Sequence, residues 1–262
     1  MTSRRVRRWA GAGLLTMALA LLLAPRLASR PAGERVGAPF QAPGPGLPLG
    51  TDHLGRDVWS QVLHDAGATI GVPLLATAVL VGVATVAGLL LGSVPDRVAR
   101  PVAALLDVLV VVPPLVLVLV VVAGAGGGAV GVVLAVVVSG VGILTRVVAA
   151  ATRQVSVAGH VEVARGYGAS AARVLVDEVL PRIARTVIAE SGLRLVAAVQ
   201  VVAALGFLGV ASGAGRSWAT AIRDGAVGMS LNGWAVAGPC LALAVVLVAL
   251  TVLVDLLRDG AA

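Results

Sequence analysis

The chain of 262 residues contains no lysine, and this absence excludes one large class of enzyme. The phosphate-binding loop of P-loop NTPases requires a lysine in the pattern GxxxxGK[ST], so this chain cannot bind ATP through such a loop. A single cysteine, Cys240, excludes an internal disulfide and a cysteine cluster for a metal. No catalytic Ser/His/Asp set and no HExxH motif is recognisable. We therefore predict a chain that is not an enzyme and has no cofactor or metal of its own.

Charged and aromatic residues are also scarce, at 13% and 3% of the chain. Soluble domains carry about 25% charged residues. The net charge of +7 raises the possibility of nucleic-acid binding, but too few aromatic rings are present to stack bases. The arginines lie at the ends of apolar runs and in loops rather than on one basic face, which excludes a nucleic-acid partner.

Apolar residues make up 58% of the chain and occur in six long runs. A helix needs about 20 mostly apolar residues to cross a bilayer. The runs are residues 9–29, 70–93, 101–123, 129–150, 184–210 and 234–257. We therefore predict an all-α membrane protein with six transmembrane helices and no separate soluble domain. Its parts are a tail (1–8), a first helix (9–29), an outer loop (30–69), a core (70–257) with a coupling loop (151–183), and a tail (258–262).

Arginine positions predict the orientation of these runs, because short cytoplasmic loops are enriched in basic residues. One side carries Arg4, Arg5, Arg7, Arg8, Arg97, Arg100, Arg146, Arg153, Arg165, Arg173, Arg182, Arg185 and Arg258. The other side carries only Arg26, Arg30, Arg35, Arg56, Arg216 and Arg223. Both termini and the 151–183 loop are thus expected in the cytoplasm, and the 30–69 loop outside. A cleaved signal peptide is the alternative for the first run.

Several polar residues interrupt the apolar runs, where they are costly and usually face a bundle interior or a water path. Glu190 and Arg194 are four residues apart, so they can pair on one helix face. An internal ion pair and a transport pathway both fit this spacing, and both readings stay open. Our candidate pathway residues are Glu190, Arg194, Gln200 and Phe207. In the third run, Asp107 is followed by Pro113-Pro114, which predicts a kink.

The 151–183 loop has a more regular residue pattern than a flexible linker would have. We expect a short helix over Glu162 to Ala164, which Gly166 and Gly168 then end. Ser170 is a candidate cap for a second helix, and Pro181 indicates a turn or kink before the fifth run. A short helix held between two spans could sit in a groove of a partner and transmit movement. A plain surface loop is the alternative.

This loop resembles the EAA loop of bacterial ATP-binding cassette (ABC) importer permeases. The family pattern is EAA, three residues, Gly, nine residues, Ile, one residue and Leu-Pro. Glu162, Ala164, Gly168, Leu180 and Pro181 fall in register with it. The resemblance implies that the ATPase-coupling residues are Glu162, Val163, Ala164, Arg165, Gly166, Gly168, Ala169 and Ser170.

A second stretch narrows the resemblance to the dipeptide/oligopeptide/nickel permeases. Residues 49–60, LGTDHLGRDVWS, resemble that family's GTDxxGRDxxSR pattern. The matching outer-loop residues are Gly50, Thr51, Asp52, Leu54, Gly55, Arg56 and Asp57. The run Phe207-Leu208-Gly209 followed by Ser217-Trp218 is similar to the family's SFLG…SWG stretch.

Departures from the family pattern leave the substrate open. Val163 and Glu178 stand where the family prefers Ala and Ile, and Gln61 replaces an Arg. Val202 and Gly206 stand where the family usually has Glu and Ser. The last two changes lie near the outer part of the expected pathway, so they bear on substrate class.

The resemblance implies a type I ABC importer permease fold with a cytoplasmic EAA coupling helix. The partners that it implies are a homologous permease, two ABC ATPase subunits that bind ATP and Mg, an extracytoplasmic substrate-binding protein, and the lipid of the inner membrane around this chain. The expected substrate is a peptide, or a nickel or other metal chelate. A secondary transporter and a membrane assembly protein without transport activity are the alternatives.

Overall fold

A computed structural model describes residues 26, 28, 30–159, 161, 166–210 and 215–259. Residues 257–259 are described by their backbone alone. The described part is helical apart from turns and isolated β-bridges. Its helices are α1 (Val58–Ser93), α2 (Asp96–Val111), α3 (Pro114–Gly124), α4 (Gly128–Ser156), α5 (Ala171–Leu208), α6 (Trp218–Gly225) and α7 (Trp234–Asp259). We call the end of the bundle at which α1 begins the upper end. The lower end is the opposite one, at which α4 ends and α5 begins.

Four helices, α1, α4, α5 and α7, are long and apolar enough to cross a membrane. The bent pair α2 and α3 brings the number to five if it counts as one span. These helices confirm the predicted class, an all-helical membrane protein. The predicted first span, 9–29, lies outside the described residues except for positions 26 and 28. The total of six spans therefore stays a prediction.

The predicted third span is two helices that meet at a 98° bend. The break falls at Val112 and Pro113, whose backbones are extended, with ψ of 131° and 125°. Proline removes a backbone donor and pushes the residue before it out of the helical region. Pro114 then occupies the first turn of α3, where its missing N–H is tolerated. The predicted kink at Pro113-Pro114 is confirmed, and the two helices on either side of it are the candidate for the predicted span 101–123.

Helix boundaries differ from the apolar runs, because polar residues extend several helices. α1 begins at Val58, within the predicted 30–69 loop, and the Asp57 carboxylate accepts hydrogen bonds from the Trp59 and Ser60 amides. At the lower end, α4 continues to Ser156 and α5 begins at Ala171, so the connection is 157–170 rather than 151–183. The predicted cap at Ser170 is confirmed, since its hydroxyl accepts from the Arg173 amide.

Of the turn or kink predicted at Pro181, the turn is absent. The chain runs as one helix from Ala171 to Leu208 and widens to a π-helical segment over Val174–Val179. The Leu180 amide donates to the Leu175 carbonyl, five residues back. This wider winding places Pro181 in the first turn of the regular α-helix that follows, where no amide donor is needed.

The bundle is built around α4, which packs along α1. A Cβ atom added to Gly88 of α1 would lie 2.5 Å from Val148 Cβ, and one added to Gly92 would lie 2.6 Å from Thr152 Cβ. Small residues allow two helices in a membrane to approach closely, so these glycines set the α1–α4 distance. The lower core next to this crossing consists of Leu80, Ala84, Leu144, Val148, Val161, Val174, Val179 and Ile183.

Candidate functional site

The outer-loop motif forms a compact cap on the upper end of the bundle. The Asp52 carboxylate accepts hydrogen bonds from the amides of Leu54 at 2.8 Å and Arg56 at 3.0 Å. It also accepts from Arg56 Nε at 2.8 Å, and Arg56 Nη2 lies 2.7 Å from Asp52 Oδ2. Both side chains are about 90% buried. The pair therefore fixes the loop rather than facing solvent as a binding group.

Two glycines of the motif occupy backbone conformations that few other residues adopt. Gly50 has φ of +68° and Gly55 has φ of +76°. A Cβ on Gly50 would clash with the Gln41 carbonyl, and one on Gly55 would clash with the Gly37 carbonyl. Both positions thus need glycine for conformation and for space. Between them, the Thr51 hydroxyl donates to the Ala38 carbonyl at 2.6 Å, which ties the motif to the start of the loop.

The cap is braced by residues that follow the fifth span. Asn232 Nδ2 donates to the carbonyls of Leu49 and Thr51, each at 3.0 Å. Trp218 Nε1 donates to the Val62 carbonyl at 2.8 Å. Asn232 thus contacts the outer-loop motif itself, and Trp218 contacts the first turns of α1 that follow the motif. The sequence analysis missed Asn232 and the helix α6, because neither carries a local signal of these distant contacts.

A second pair of charges lies beneath the cap. Arg216 Nε is 3.5 Å from Asp65 Oδ2, and Arg216 Nη2 is 3.7 Å from Asp52 Oδ2. Asp65 is almost fully buried, and the sequence analysis missed both Asp65 and Arg216. A signal was present, because Gln61 and Thr69 lie four residues before and after Asp65, and all three are buried polar residues. This spacing puts a polar stripe on the inner face of α1.

Apolar residues of the coupling loop anchor it to the lower end of the bundle. His160 and the coupling residues Glu162, Val163, Ala164 and Arg165 lie outside the described residues. Val161 is fully buried in the lower core against α4 and α5. Ala169 packs on the same core, whereas Gly166 and Tyr167 are exposed, Tyr167 by 89%. Val161 and Ala169 thus anchor this loop to the lower core, and Gly166 and Tyr167 lie at its surface.

Gly168 supplies the reversal of the chain within this loop. Its φ is +83°, and no atom of the described residues lies within 4 Å of a Cβ placed on it. A side chain there would find space but would be strained, because L-residues rarely adopt this φ. The Glu178 side chain, which stands where the EAA pattern has Ile, faces outward and pairs with Arg182 at 2.8 Å. That substitution therefore places no unpaired charge in the core.

The four candidate pathway residues of α5 divide between two faces. Glu190 Oε2 and Arg194 Nη2 are 3.5 Å apart, and both side chains are about one-fifth exposed. They share the helix face of the buried Ile183. Gln200 and Phe207 are exposed and, seven residues apart, lie together on a different face. The structure thus contains the ion pair that the spacing predicted, and it separates that pair from Gln200 and Phe207.

No cluster of three or more His, Cys, Asp or Glu residues within the described part of the chain could hold a metal ion. His64, which the sequence places beside a loop, lies with Nε2 3.0 Å from the Arg30 carbonyl oxygen. This contact holds residue 30 against the upper turns of α1.

Comparison with known proteins gives a match over most of the chain. Residues 84–260 match the family model described as binding-protein-dependent transport system inner membrane component. The di/tripeptide transport system permease protein DppC of Pseudomonas aeruginosa is 29% identical over 81% of this chain and 70% of its own length. The oligopeptide transport system permease protein OppC of Mycobacterium bovis is 28% identical over 84% of this chain and 77% of its own length. A putative peptide transport system permease protein of Brucella suis is 26% identical over 94% of this chain and 83% of its own length.

Proposed function

Because this chain belongs to the family of binding-protein-dependent transport system inner membrane components, we propose that it forms one half of a peptide path across the inner membrane. The chain is a multi-pass ABC importer permease of the peptide-transport group. In the proposed assembly, a homologous permease forms the other half of the path. Two ABC ATPase subunits bind ATP and Mg, and an extracytoplasmic binding protein delivers the substrate.

A peptide is the substrate class that the relatives favour. Their names specify di/tripeptides, oligopeptides and glutathione. A nickel or other metal chelate is compatible with the same family resemblance but has no relative among these that names it. We therefore propose a short peptide as the substrate, with the selection made largely by the binding protein.

The exposed face of α5 is the proposed wall of the path. Gln200 is exposed in the upper half of a membrane-spanning helix, where an amide facing lipid would lose its hydrogen bonds to water. Polar residues in such positions usually face a water path or another helix bundle. We propose that Gln200 and Phe207 face the path, and that Glu190 and Arg194 stabilise α5 from its buried side.

Thiol labelling tests this assignment in a chain whose only native cysteine is replaced by Cys240→Ala. We expect a Gln200→Cys variant to react with a membrane-impermeant maleimide at least about tenfold faster than a Val245→Cys variant, because the reactive thiolate forms in water and not in lipid. Val245 is exposed on α7 and serves as the lipid-facing control. Equal labelling of the two positions would remove Gln200 from the proposed path.

The loop 157–170 is the proposed docking point for an ATPase subunit. The observation that carries this proposal is the combination of a fully buried Val161 with an exposed Tyr167 in one short connection. Val161 is buried among residues of α1, α4 and α5, so a pull on the loop reaches three helices of the bundle. ATP can drive such a movement only if the loop contacts the ATPase differently in its two states.

This proposal also orients the chain. The lower end, with the loop 157–170, lies in the cytoplasm, and the cap formed by the outer-loop motif faces the binding protein. Arginine counts support the same orientation, since the side with more arginines carries this loop.

Co-purification tests the proposed assembly directly. The tagged chain, extracted in mild detergent, is expected to bring with it a second permease and lysine-containing P-loop ATPases. The ATPases should be lost from a Glu162→Arg variant, while the second permease stays bound. Recovery of the chain without any ATPase would contradict the coupling role and favour a secondary transporter.

A further inference from the structure

An apolar cleft opens between α1, α5 and α7 on the side of the bundle. Its volume is about 330 Å³, which is within the range of small-molecule sites. Its walls are almost entirely apolar, and they consist of Leu74, Thr77, Ala78, Val81, Ile188, Ser191, Gly192, Leu195, Leu250, Leu253 and Val254. The Ser191 hydroxyl donates to the Val187 carbonyl at 2.6 Å, so it does not offer its proton to an occupant.

The cleft extends from the middle of the membrane-spanning bundle toward its lower end. Leu250 and Val254 belong to the last two turns of the α7 span, which ends at Leu256. Ile188 lies near the middle of α5, which rises from the lower end. The occupant must therefore be apolar in its main part, because the cleft is apolar and opens at the depth of acyl chains.

An exposed arginine lies below this cleft on α5. Arg185 precedes Ile188 by three residues and Gly192 by seven, so all three lie on one helix face. Arg185 is exposed and has no hydrogen-bond or ion-pair partner among the described residues. Arg182, one turn lower, is already paired with Glu178. Long arginine side chains on helices reach toward the nearer membrane surface, which here is the lower one.

We infer that the cleft binds an anionic phospholipid of the lower leaflet, with one acyl chain in the cleft and the phosphate on Arg185. Basic residues next to grooves between transmembrane helices bind anionic head groups, and an acyl chain fits the apolar wall above them. The charge of Arg185 selects this occupant over a neutral lipid. This inference does not depend on the transport cycle, so the two proposals can fail separately.

Lipid retention tests the inference on the full chain together with the subunits that accompany it. The complex is placed in nanodiscs with equal amounts of phosphatidylglycerol and phosphatidylcholine, extracted again, and its bound lipids are counted by mass spectrometry. We expect phosphatidylglycerol to be enriched, and Arg185→Gln to lower the ratio of the two lipids about fivefold, the effect of one arginine near an anionic surface. The Arg182→Gln variant, which removes the same charge one turn lower, should keep the wild-type ratio.

A second variant tests the cleft itself. Ala78→Phe places a ring in the cleft and should remove the retained lipid, whereas Val79→Phe, at an exposed position outside the lining, should not. Equal lipid ratios for Arg185→Gln and Arg182→Gln, or unchanged retention in Ala78→Phe, would overturn the inference. So would a disulfide between Ala78→Cys and a cysteine placed in residues 9–29, because the chain's own first apolar run would then occupy the cleft.

Discussion

A Glu162→Arg variant is expected to lose peptide uptake by more than about thirtyfold while it stays in the membrane at wild-type abundance. The reason is that an unpaired charge at a docking surface typically lowers binding by about 2–5 kcal/mol. Glu162 itself lies outside the described residues, but its neighbour Val161 is anchored in the lower core. The variant therefore changes a proposed coupling residue and leaves the anchor residue Val161 unchanged. Uptake of a labelled dipeptide by cells that depend on this chain gives the measurement.

The same assay with Gly168→Asp tests the shape of the loop rather than its charge contact. Gly168 has φ of +83°, and the described residues leave the position of a Cβ atom open. A non-glycine residue in this conformation costs about 1–2 kcal/mol, so the loop should relax to another path and lose its fit. Membrane insertion should be unaffected, because Gly168 lies outside the spanning helices and no described residue packs on this position.

The matched control for charge is Asp177→Arg. Asp177 is exposed at the same end of the bundle, in the π-helical segment of α5, and is not one of the proposed coupling residues. Its reversal should leave uptake near the wild-type value. If Asp177→Arg and Glu162→Arg lower uptake equally, the effect is one of general charge at the lower end. Normal uptake in Glu162→Arg and Gly168→Asp would refute the coupling role of the loop.

The second large effect is expected at the upper end, where Arg56→Ala should destabilise the cap by about 3 kcal/mol. Removing one partner of a buried ion pair leaves the other charge without compensation. Asp52 would retain the more distant Arg216, at 3.7 Å, and the amides of Leu54 and Arg56. The thermal unfolding midpoint of the purified chain, followed in detergent, reports the loss. Co-purification of the ATPases should be unchanged, because they are proposed to bind at the opposite end.

A double variant separates lost charge pairing from lost packing. Asp52→Asn in the Arg56→Ala background removes the uncompensated charge and should restore part of the stability. Arg35→Ala, in the same loop but exposed, should have an effect within about 0.5 kcal/mol. An Arg56→Ala midpoint equal to that of Arg35→Ala would show that the buried pair contributes nothing to the cap.

Some features of this protein follow from its sequence because they depend on local chemistry. The apolar runs predict spanning helices, since each run by itself is long enough to cross the apolar core of a bilayer. Pro113-Pro114 predicts the break between α2 and α3, because proline acts on its own turn of the backbone. The cap at Ser170 depends only on an amide three residues away. The EAA spacing and the GTDxxGRD stretch pointed to the permease family for the same reason, as residue patterns within short segments.

Other features required the folded chain, because they join residues that are far apart in the sequence. The α1 boundary at Val58 extends into a stretch that hydropathy alone assigns to a loop, since a polar turn can remain helical when a carboxylate caps it. Asn232 reaches Leu49 and Thr51, and Arg216 reaches Asp65, across most of the chain. No local pattern encodes such pairs. Likewise, spacing placed Glu190 and Arg194 together, but only packing decided that they face the core while Gln200 faces outward.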